Sequence, residues 1–183
     1  MKKYEFTGET KEIKLLFRTA VLHRIRATVS FGFVKIGDLG GWIEKEENLS
    51  HEGKAWVCGD AKVWGNAEVW GNAKVCGDAE VCGDAKVWGN AKVWGNAKVF
   101  SASHVLVIGA IGSRNDFTTF YRDKDNEITV KCGCFLGKID RFLEKVTQTH
   151  GDSKYALVYR AAVEVAKLQI DLSGEAPKDA DEE

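Results

Sequence analysis

Residues 53–100 read GKAWVC GDAKVW GNAEVW GNAKVC GDAEVC GDAKVW GNAKVW GNAKVF, and SASHVL at 101–106 continues the same phase. A valine recurs at every sixth position from Val57 to Val105, and an alanine lies two residues before each valine up to Val99. A period of six does not fit an amphipathic helix, whose apolar residues recur about every 3.6 positions. It fits short strands, in which alternate side chains face the same side, joined by tight turns.

The turns between these units have their own signature. From Gly59 onward, every unit opens with glycine followed by asparagine or aspartate, and this pair adopts the positive φ that a sharp corner requires. Three units make one coil of 18 residues. We therefore expect a parallel β-helix with valine and alanine inside, in which residues 18 apart stack about 4.8 Å from each other.

The columns that point outward carry large apolar groups or thiols at all three corners. Their aromatic members are Trp64, Trp70, Trp88, Trp94 and Phe100. These rings either pack against other parts of the same chain or form an oligomer or partner surface, and both can hold. We take them as candidate interface residues of a homo-oligomer, a trimer or a dimer.

Segments of different character flank the repeat. Residues 1–36 favour short strands and are predicted to form an N-terminal β cap. Residues 37–108 are predicted to form the β-helix. Its first coil is expected to be irregular and to begin near Leu39, which precedes Val57 by 18 residues. Residues 109–170 are predicted to form a C-terminal α+β cap of ββαα type. Its hairpin covers 117–122 and 127–132, and its two helices meet at Gly151. The predicted fold class is therefore mainly β.

Composition and charge restrict the class of protein. Apolar residues make up 44% and charged residues 29% of the 183-residue chain, which is typical of a soluble globular protein. Residues 1–36 hold eight basic and three acidic side chains, whereas 171–183 hold six acidic side chains and one lysine. This asymmetry permits an anionic partner but is also typical of a solvated surface. We expect the acidic tail, 171–183, to be disordered.

Location follows from what the sequence does not contain. No apolar run is long enough to span a membrane, and no secretory segment opens the chain, so we expect a cytoplasmic protein. The odd count of five cysteines favours reduced thiols in that compartment. Cys58 and Cys76 are one coil apart, close enough for a disulfide on oxidation.

The repeat resembles the hexapeptide-repeat family, whose units carry an aliphatic residue followed four positions later by a small one, as in Val63–Ala67. The resemblance implies a left-handed parallel β-helix. Members of the family are usually trimers and include acyltransferases with a histidine base and carbonic anhydrases with three zinc-bound histidines. Of the four histidines here, only His104 lies within the hexads, and His51 lies just before them. We therefore predict no metal site, no cofactor and no catalytic residues, with an acyltransferase that uses His51 or His104 as the alternative.

A second resemblance comes from the flanks of the repeat. KIGDLGGWIEKEENLS at 35–50 and TTFYRDKDNEITVKCGCFLGKIDRFLEKVTQTHG at 118–151 look like segments of small phage and prophage proteins. The resemblance implies a phage accessory gene product. Together with the absence of a catalytic constellation and the outward aromatic columns, it leads us to expect a non-enzymatic binding protein that counters host antiviral defence. It would sequester a small anionic, nucleotide-like signal or occlude a defence protein. A purely structural or oligomerisation module is a further alternative, and the sequence does not favour a nucleic-acid partner.

One turn is a candidate ligand site. Ser113 and Arg114 follow Gly112, where backbone amides, a hydroxyl and a guanidinium can hold an anion. Phe120 and Tyr121 follow closely and are candidates for stacking on a base. The alternative is an ordinary turn between strands with an exposed arginine. Cys132 and Cys134 form one Cys-x-Cys pair, which lacks the ligands of a zinc site.

Overall fold

The N-terminal strands form a hairpin that extends one face of the β-helix. The computed structural model describes residues 2–174. Strand β1 (Tyr4–Leu15) pairs antiparallel with β2 (Arg18–Ala27), and β2 pairs antiparallel with β3 (Leu39–Ile43). The hairpin turns at residues 16–17, which are exposed.

The hexads form eight two-residue strands that stack into a parallel β-helix of about three turns. The strands are β4 (Trp56–Val57), β5 (Lys62–Val63), β6 (Glu68–Val69), β7 (Lys74–Val75), β8 (Glu80–Val81), β9 (Lys86–Val87), β10 (Lys92–Val93) and β11 (Lys98–Val99). Its three faces are β4–β7–β10, β5–β8–β11 and β6–β9. The predicted mainly β fold with a β-helix is confirmed.

The register within the helix is the predicted one. Val57 pairs with Val75, which pairs with Val93, so that residues 18 apart are neighbours. All of the array valines up to Val99 are buried in one core together with the alanines. At the corner, Gly77 has φ +77°, and a Cβ there would lie 3.1 Å from the amide nitrogen of Gly95. Glycine therefore serves both the turn and the close approach of the next coil.

The first coil is irregular, as expected, but its offset differs from the prediction. Ile43 pairs with Val63 and Leu49 with Val69, which are offsets of 20 residues rather than 18. The stacking of Leu39 on Val57 is therefore wrong. The Ser50 amide still follows this offset, donating to the carbonyl oxygen of Val69, whereas the Lys54 amide donates to Gly71 as in the regular coils, so the two additional residues lie between Ser50 and Lys54. The preceding 3₁₀ turn, Glu46–Asn48, is held to the next coil by the side-chain amide of Asn48, which donates to the carbonyl oxygen of Ala67 at 2.8 Å.

A four-stranded antiparallel sheet and two helices follow the β-helix. They are β12 (Val105–Ile111), β13 (Asp116–Arg122), β14 (Ile128–Cys132), β15 (Phe135–Lys138), α1 (Ile139–His150) and α2 (Lys154–Gln169). The predicted hairpin and both helices are confirmed, with Gly151 closing α1. The run VLVIGAI at 105–111, which the sequence also predicts as a strand, forms β12 and crosses the predicted boundary between 108 and 109, and β15 is the one strand of this sheet that was not predicted. The predicted tail lies mostly outside the described residues, which end at 174.

The C-terminal sheet separates the β-helix from the two helices. Tyr121 belongs to the β-helix core, and its hydroxyl donates to the carbonyl oxygen of Trp94 at 2.9 Å. Phe120 points to the opposite face of the sheet and packs edge-on against Phe142 of α1. One strand thus closes the last coil and supports the helical layer. No helix within residues 2–174 is long and apolar enough to cross a membrane.

Candidate functional site

A cavity of about 310 Å³ lies where the turn after β12, the turn after β14 and helix α1 come together. The first turn contributes Ser113 and Arg114, the second contributes Cys134, and α1 contributes Lys145 and His150. These residues are distant in sequence, and antiparallel pairing brings both turns to the same end of the sheet. The candidate turn of the sequence therefore borders a concave site.

Two glycines determine how these turns fit together. Gly112 has φ +71°, and a Cβ there would collide with the Tyr159 hydroxyl of α2. Gly133 has φ +55°, and a Cβ there would lie 3.2 Å from Arg114 Nη1. A side chain at either position would move a wall of the cavity. Glycine at position 112 therefore allows helix α2 to approach this turn closely, and glycine at position 133 does the same for Arg114.

The rim of the cavity carries more positive than negative charge. Among residues 2–174, no carboxylate lies within 4.0 Å of the Arg114 guanidinium or of the Lys145 ammonium. Asp116 is the acidic residue of the lining, and its Oδ2 lies 3.8 Å from Lys92 Nζ. His150 adds an imidazole, which can donate a hydrogen bond. The site is therefore suited to an anion.

The floor of the cavity is aromatic and contains a thiol. Phe142 lies 5.2 Å from Phe135 and 5.6 Å from Tyr159, measured between ring centroids. Thr118 Oγ1 donates to Cys132 Sγ at 3.3 Å, and this thiol lies 3.9 Å from Tyr159 Oη. Burial and the nearby Cys132 raise the pKa of Tyr159 to about 12, so its hydroxyl stays neutral at physiological pH. The floor therefore offers apolar contact and neutral polar groups.

The structure brings together only half of the predicted ligand residues. Ser113 and Arg114 border the cavity, whereas Phe120 and Tyr121 are fully buried on opposite faces of β13 and do not line it. Adjacent residues of a strand point to opposite sides, so these two rings cannot face one ligand. The aromatic surface that a ligand would contact here comes from Phe135 and Phe142 instead.

The sequence does not predict the helical side of the cavity. Lys145 and Thr149 lie four residues apart, beside the apolar stripe of Phe142 and Val146. Residues with this spacing share one helix face, and this was the signal available. The residues that this face would meet were not deducible from the sequence, because they come from two separate turns.

The five candidate interface aromatics have different surroundings. Trp64 is only 3% exposed and packs with Leu22 of the N-terminal hairpin. Trp94 is half-buried beneath Lys131 Nζ, 4.5 Å from its ring centroid, and Phe100 packs against the Arg122 guanidinium at 4.7 Å. The same chain therefore covers these three rings. Trp70 and Trp88 are 42% and 57% exposed and stack on each other.

The two histidines of the acyltransferase alternative are both engaged inside the fold. His104 is 2% exposed, its Nδ1 accepts from the amide of Phe100 at 3.3 Å, and burial holds its pKa below the ordinary value. His51 Nδ1 accepts from the Lys3 amide at 3.1 Å, and its ring stacks on Tyr4. Neither imidazole lines the cavity. Within residues 2–174, no three His, Cys, Asp or Glu side chains form a metal-binding group.

Thiols elsewhere follow the register of the coils. The structure joins Cys58 and Cys76 in a disulfide with a Cα–Cα distance of 4.7 Å. Cys82, Cys132 and Cys134 are not in disulfides.

No family model matches the sequence, and no curated protein matches it significantly. The function is therefore argued from the cavity.

Proposed function

We propose that the protein is a non-enzymatic binding protein that holds a small anionic molecule in the cavity beside Arg114. The observation that carries the proposal is that two cations without carboxylate partners among the described residues, Arg114 and Lys145, line one concave site. A guanidinium presents paired donors that match a phosphate or carboxylate. Such charge-assisted hydrogen bonds are among the strongest in proteins.

The size and floor of the cavity narrow the class of ligand. Its volume of about 310 Å³ is at the lower end of ligand pockets. Ser113 supplies a hydroxyl at the rim, and Phe135 and Phe142 supply apolar surface. A small phosphate ester of nucleotide-like size satisfies both parts of the site.

The biological part of the proposal depends on the resemblances in sequence. The two flanking segments support a phage-encoded protein that counters host antiviral defence in the cytoplasm of the host. Between the two mechanisms, the cation-lined cavity favours sequestration of a nucleotide-like signal over occlusion of a defence protein. The Val63–Ala67 spacing and its repeats support a left-handed helix of the hexapeptide-repeat type. A homo-oligomer remains part of the proposal.

Isothermal titration calorimetry with pyrophosphate and with AMP tests the proposed site. Arg114→Ala is expected to weaken pyrophosphate binding by about 10- to 100-fold, the scale of a charged hydrogen bond. Lys145→Ala is expected to weaken it less, because an ammonium acts as a single point charge. Arg141→Ala removes an arginine of the same helix that does not line the cavity, and it should leave the affinity unchanged.

The outcomes separate clearly. AMP binding that is tighter than pyrophosphate binding and that Arg114→Ala weakens supports the nucleotide-like ligand, and similar affinities restrict the proposal to a simple anion. Equal affinity in the wild type and Arg114→Ala, or no heat with either probe, contradicts the proposal. Matching melting temperatures of the variants are the control for intact folding.

A further inference from the structure

The stacked pair of Trp70 and Trp88 ends abruptly on one side. The two indoles lie 5.3 Å apart between centroids and 10° from parallel, in one outward column of the β-helix. The next residue of that column, 18 positions on, is Leu106. Leu106 pairs with Phe120 within the C-terminal sheet and packs on the second hydrophobic core instead. Among the residues that the structure describes, none therefore places a ring below the outer face of Trp88.

The backbone beneath Trp88 is open as well. A Cβ on Gly71 would lie 3.1 Å from the amide nitrogen of Gly89, because the next coil follows directly. A Cβ on Gly89 would meet nothing within 4 Å. At this corner no further coil follows Gly89, because the chain leaves the β-helix for strand β12 at Val105.

A cavity of about 390 Å³ occupies this place. Trp88 and Phe117 supply its aromatic walls, and Val107 and Ala102 supply aliphatic ones. Its lining has no residue in common with that of the Arg114 cavity. It is a separate site.

Two polar side chains border this apolar cavity. The side-chain oxygen Oδ1 of Asn90 accepts a hydrogen bond from Asn72 Nδ2 at 3.2 Å, which leaves the side-chain NH₂ group of Asn90 available as a donor. Lys86 also lines the cavity, and no carboxylate of residues 2–174 lies within 4.0 Å of its ammonium. The Asn90 amide donor and the Lys86 ammonium therefore line the same cavity as the indole of Trp88.

We propose that this cavity binds a flat, fused heteroaromatic ring that carries an anionic group. The ring continues the Trp70–Trp88 stack on the open face of Trp88, and the anionic group lies toward Lys86. Purine nucleotides and indole carboxylates share this chemistry. The site goes beyond the proposed function and does not depend on it, since it uses none of the residues around Arg114.

The test is calorimetry in the Arg114→Ala/Lys145→Ala background, which removes the cations of the other cavity. AMP and indole-3-acetate are the probes, and adenosine is the neutral control. At least one anionic probe is expected to bind more tightly than adenosine. Trp88→Ala should weaken it at least about fivefold, the lower scale of base–aromatic stacking. Trp70→Ala is the matched control and should change the affinity less, because Trp70 lies on the far side of Trp88.

A second variant keeps the test decisive if Trp88→Ala fails to fold. Ala102→Phe leaves Trp88 in place and fills the cavity, so it should also weaken binding. Preference for AMP or for indole-3-acetate distinguishes the two sources of the ring. Absence of binding by both probes, or unchanged affinity in Ala102→Phe, overturns the inference. Either result leaves the pyrophosphate test of the Arg114 cavity unaffected.

Discussion

Trp70 and Trp88 are 18 residues apart in the sequence, and their indoles lie parallel with a centroid distance of 5.3 Å. The same offset places the Glu80 carboxylate between two lysines and joins Cys58 to Cys76. One coil length therefore governs the ion pairs, the aromatic stack and the disulfide. Because each pair depends on the same register, independent variants can test it.

Val75→Asp tests which side chains of the hexads face the core of the β-helix and which face outward. Val75 is fully buried in the β-helix core, so an aspartate there has no partner and should cost several kcal/mol, enough to prevent folding. Lys74→Asp is the control at the adjacent position. It removes the contact of Lys74 Nζ with the Phe33 ring, at 3.8 Å, which is worth about 0.5–1 kcal/mol. Similar melting temperatures of the two variants would refute the alternation.

Glu80→Gln tests the charged column. Burial would raise the pKa of Glu80, but hydrogen bonds from Lys98 and Lys62 outweigh it and hold that pKa below the ordinary value. Stability from this carboxylate is therefore present above the unfolded-state pKa and is lost as pH falls through the folded-state pKa. We expect Glu80→Gln to lower the free energy of unfolding by about 1–2 kcal/mol at pH 7.

Urea unfolding at pH 7 and in acid measures this effect. The difference between the wild type and Glu80→Gln should shrink as pH falls below about 4.3, the ordinary pKa of glutamate. Glu68→Gln is the matched control, since among residues 2–174 no lysine or arginine lies within ion-pair distance of Glu68. A difference independent of pH would show that charge is not the cause.

The disulfide is the third test. In oxidising buffer, Cys76→Ser should lower the free energy of unfolding by about 2–4 kcal/mol, the usual contribution of a bridge that closes a loop of this length. A reductant should remove most of the difference from the wild type. Cys134→Ser, an exposed free thiol, should have no effect. Peptide mapping that finds Cys58 bridged to another cysteine would contradict the register of the coils.

Lys3 gives a prediction in the alkaline range. Burial lowers the pKa of Lys3 to about 8, and its ammonium donates to the carbonyl oxygen of Ala55 at 2.8 Å. Between pH 8 and about 10.4, the unfolded chain binds more protons at Lys3 than the folded chain does, so stability rises with pH. The stability of the wild type relative to Lys3→Met should therefore increase over this window. Chemical denaturation at both limits measures it, and a constant difference would show that Lys3 does not titrate there.

The hexads allowed most of the fold to be predicted, because valine, alanine and Gly-Asn or Gly-Asp fix the strand, the core and the corner at every unit. Gly151 similarly marked the junction of the two helices. The 20-residue offset of Ile43 on Val63 was not predictable, since the first coil lacks the hexad pattern. Burial of Trp64 under the N-terminal hairpin depends on how distant strands fold over the helix, and the periodicity does not encode that.

The candidate site was predictable only in part. The Gly112–Ser113–Arg114 turn has local chemistry that points to an anion, and the structure places it at a cavity. Lys145 and His150 reach the same cavity through the packing of α1 on the sheet, which no local pattern specifies. Phe120 and Tyr121 were grouped by proximity in sequence, whereas strand geometry directs them to opposite faces.

An NMR titration with pyrophosphate, a probe without a ring, tests the central claim that an anion binds beside Arg114. We predict that the largest changes in amide chemical shift fall on Ser113, Arg114, Gly133 and Cys134, and that Arg114→Ala suppresses them. Shift changes confined to the basic N-terminal hairpin, or no changes at all, would contradict it.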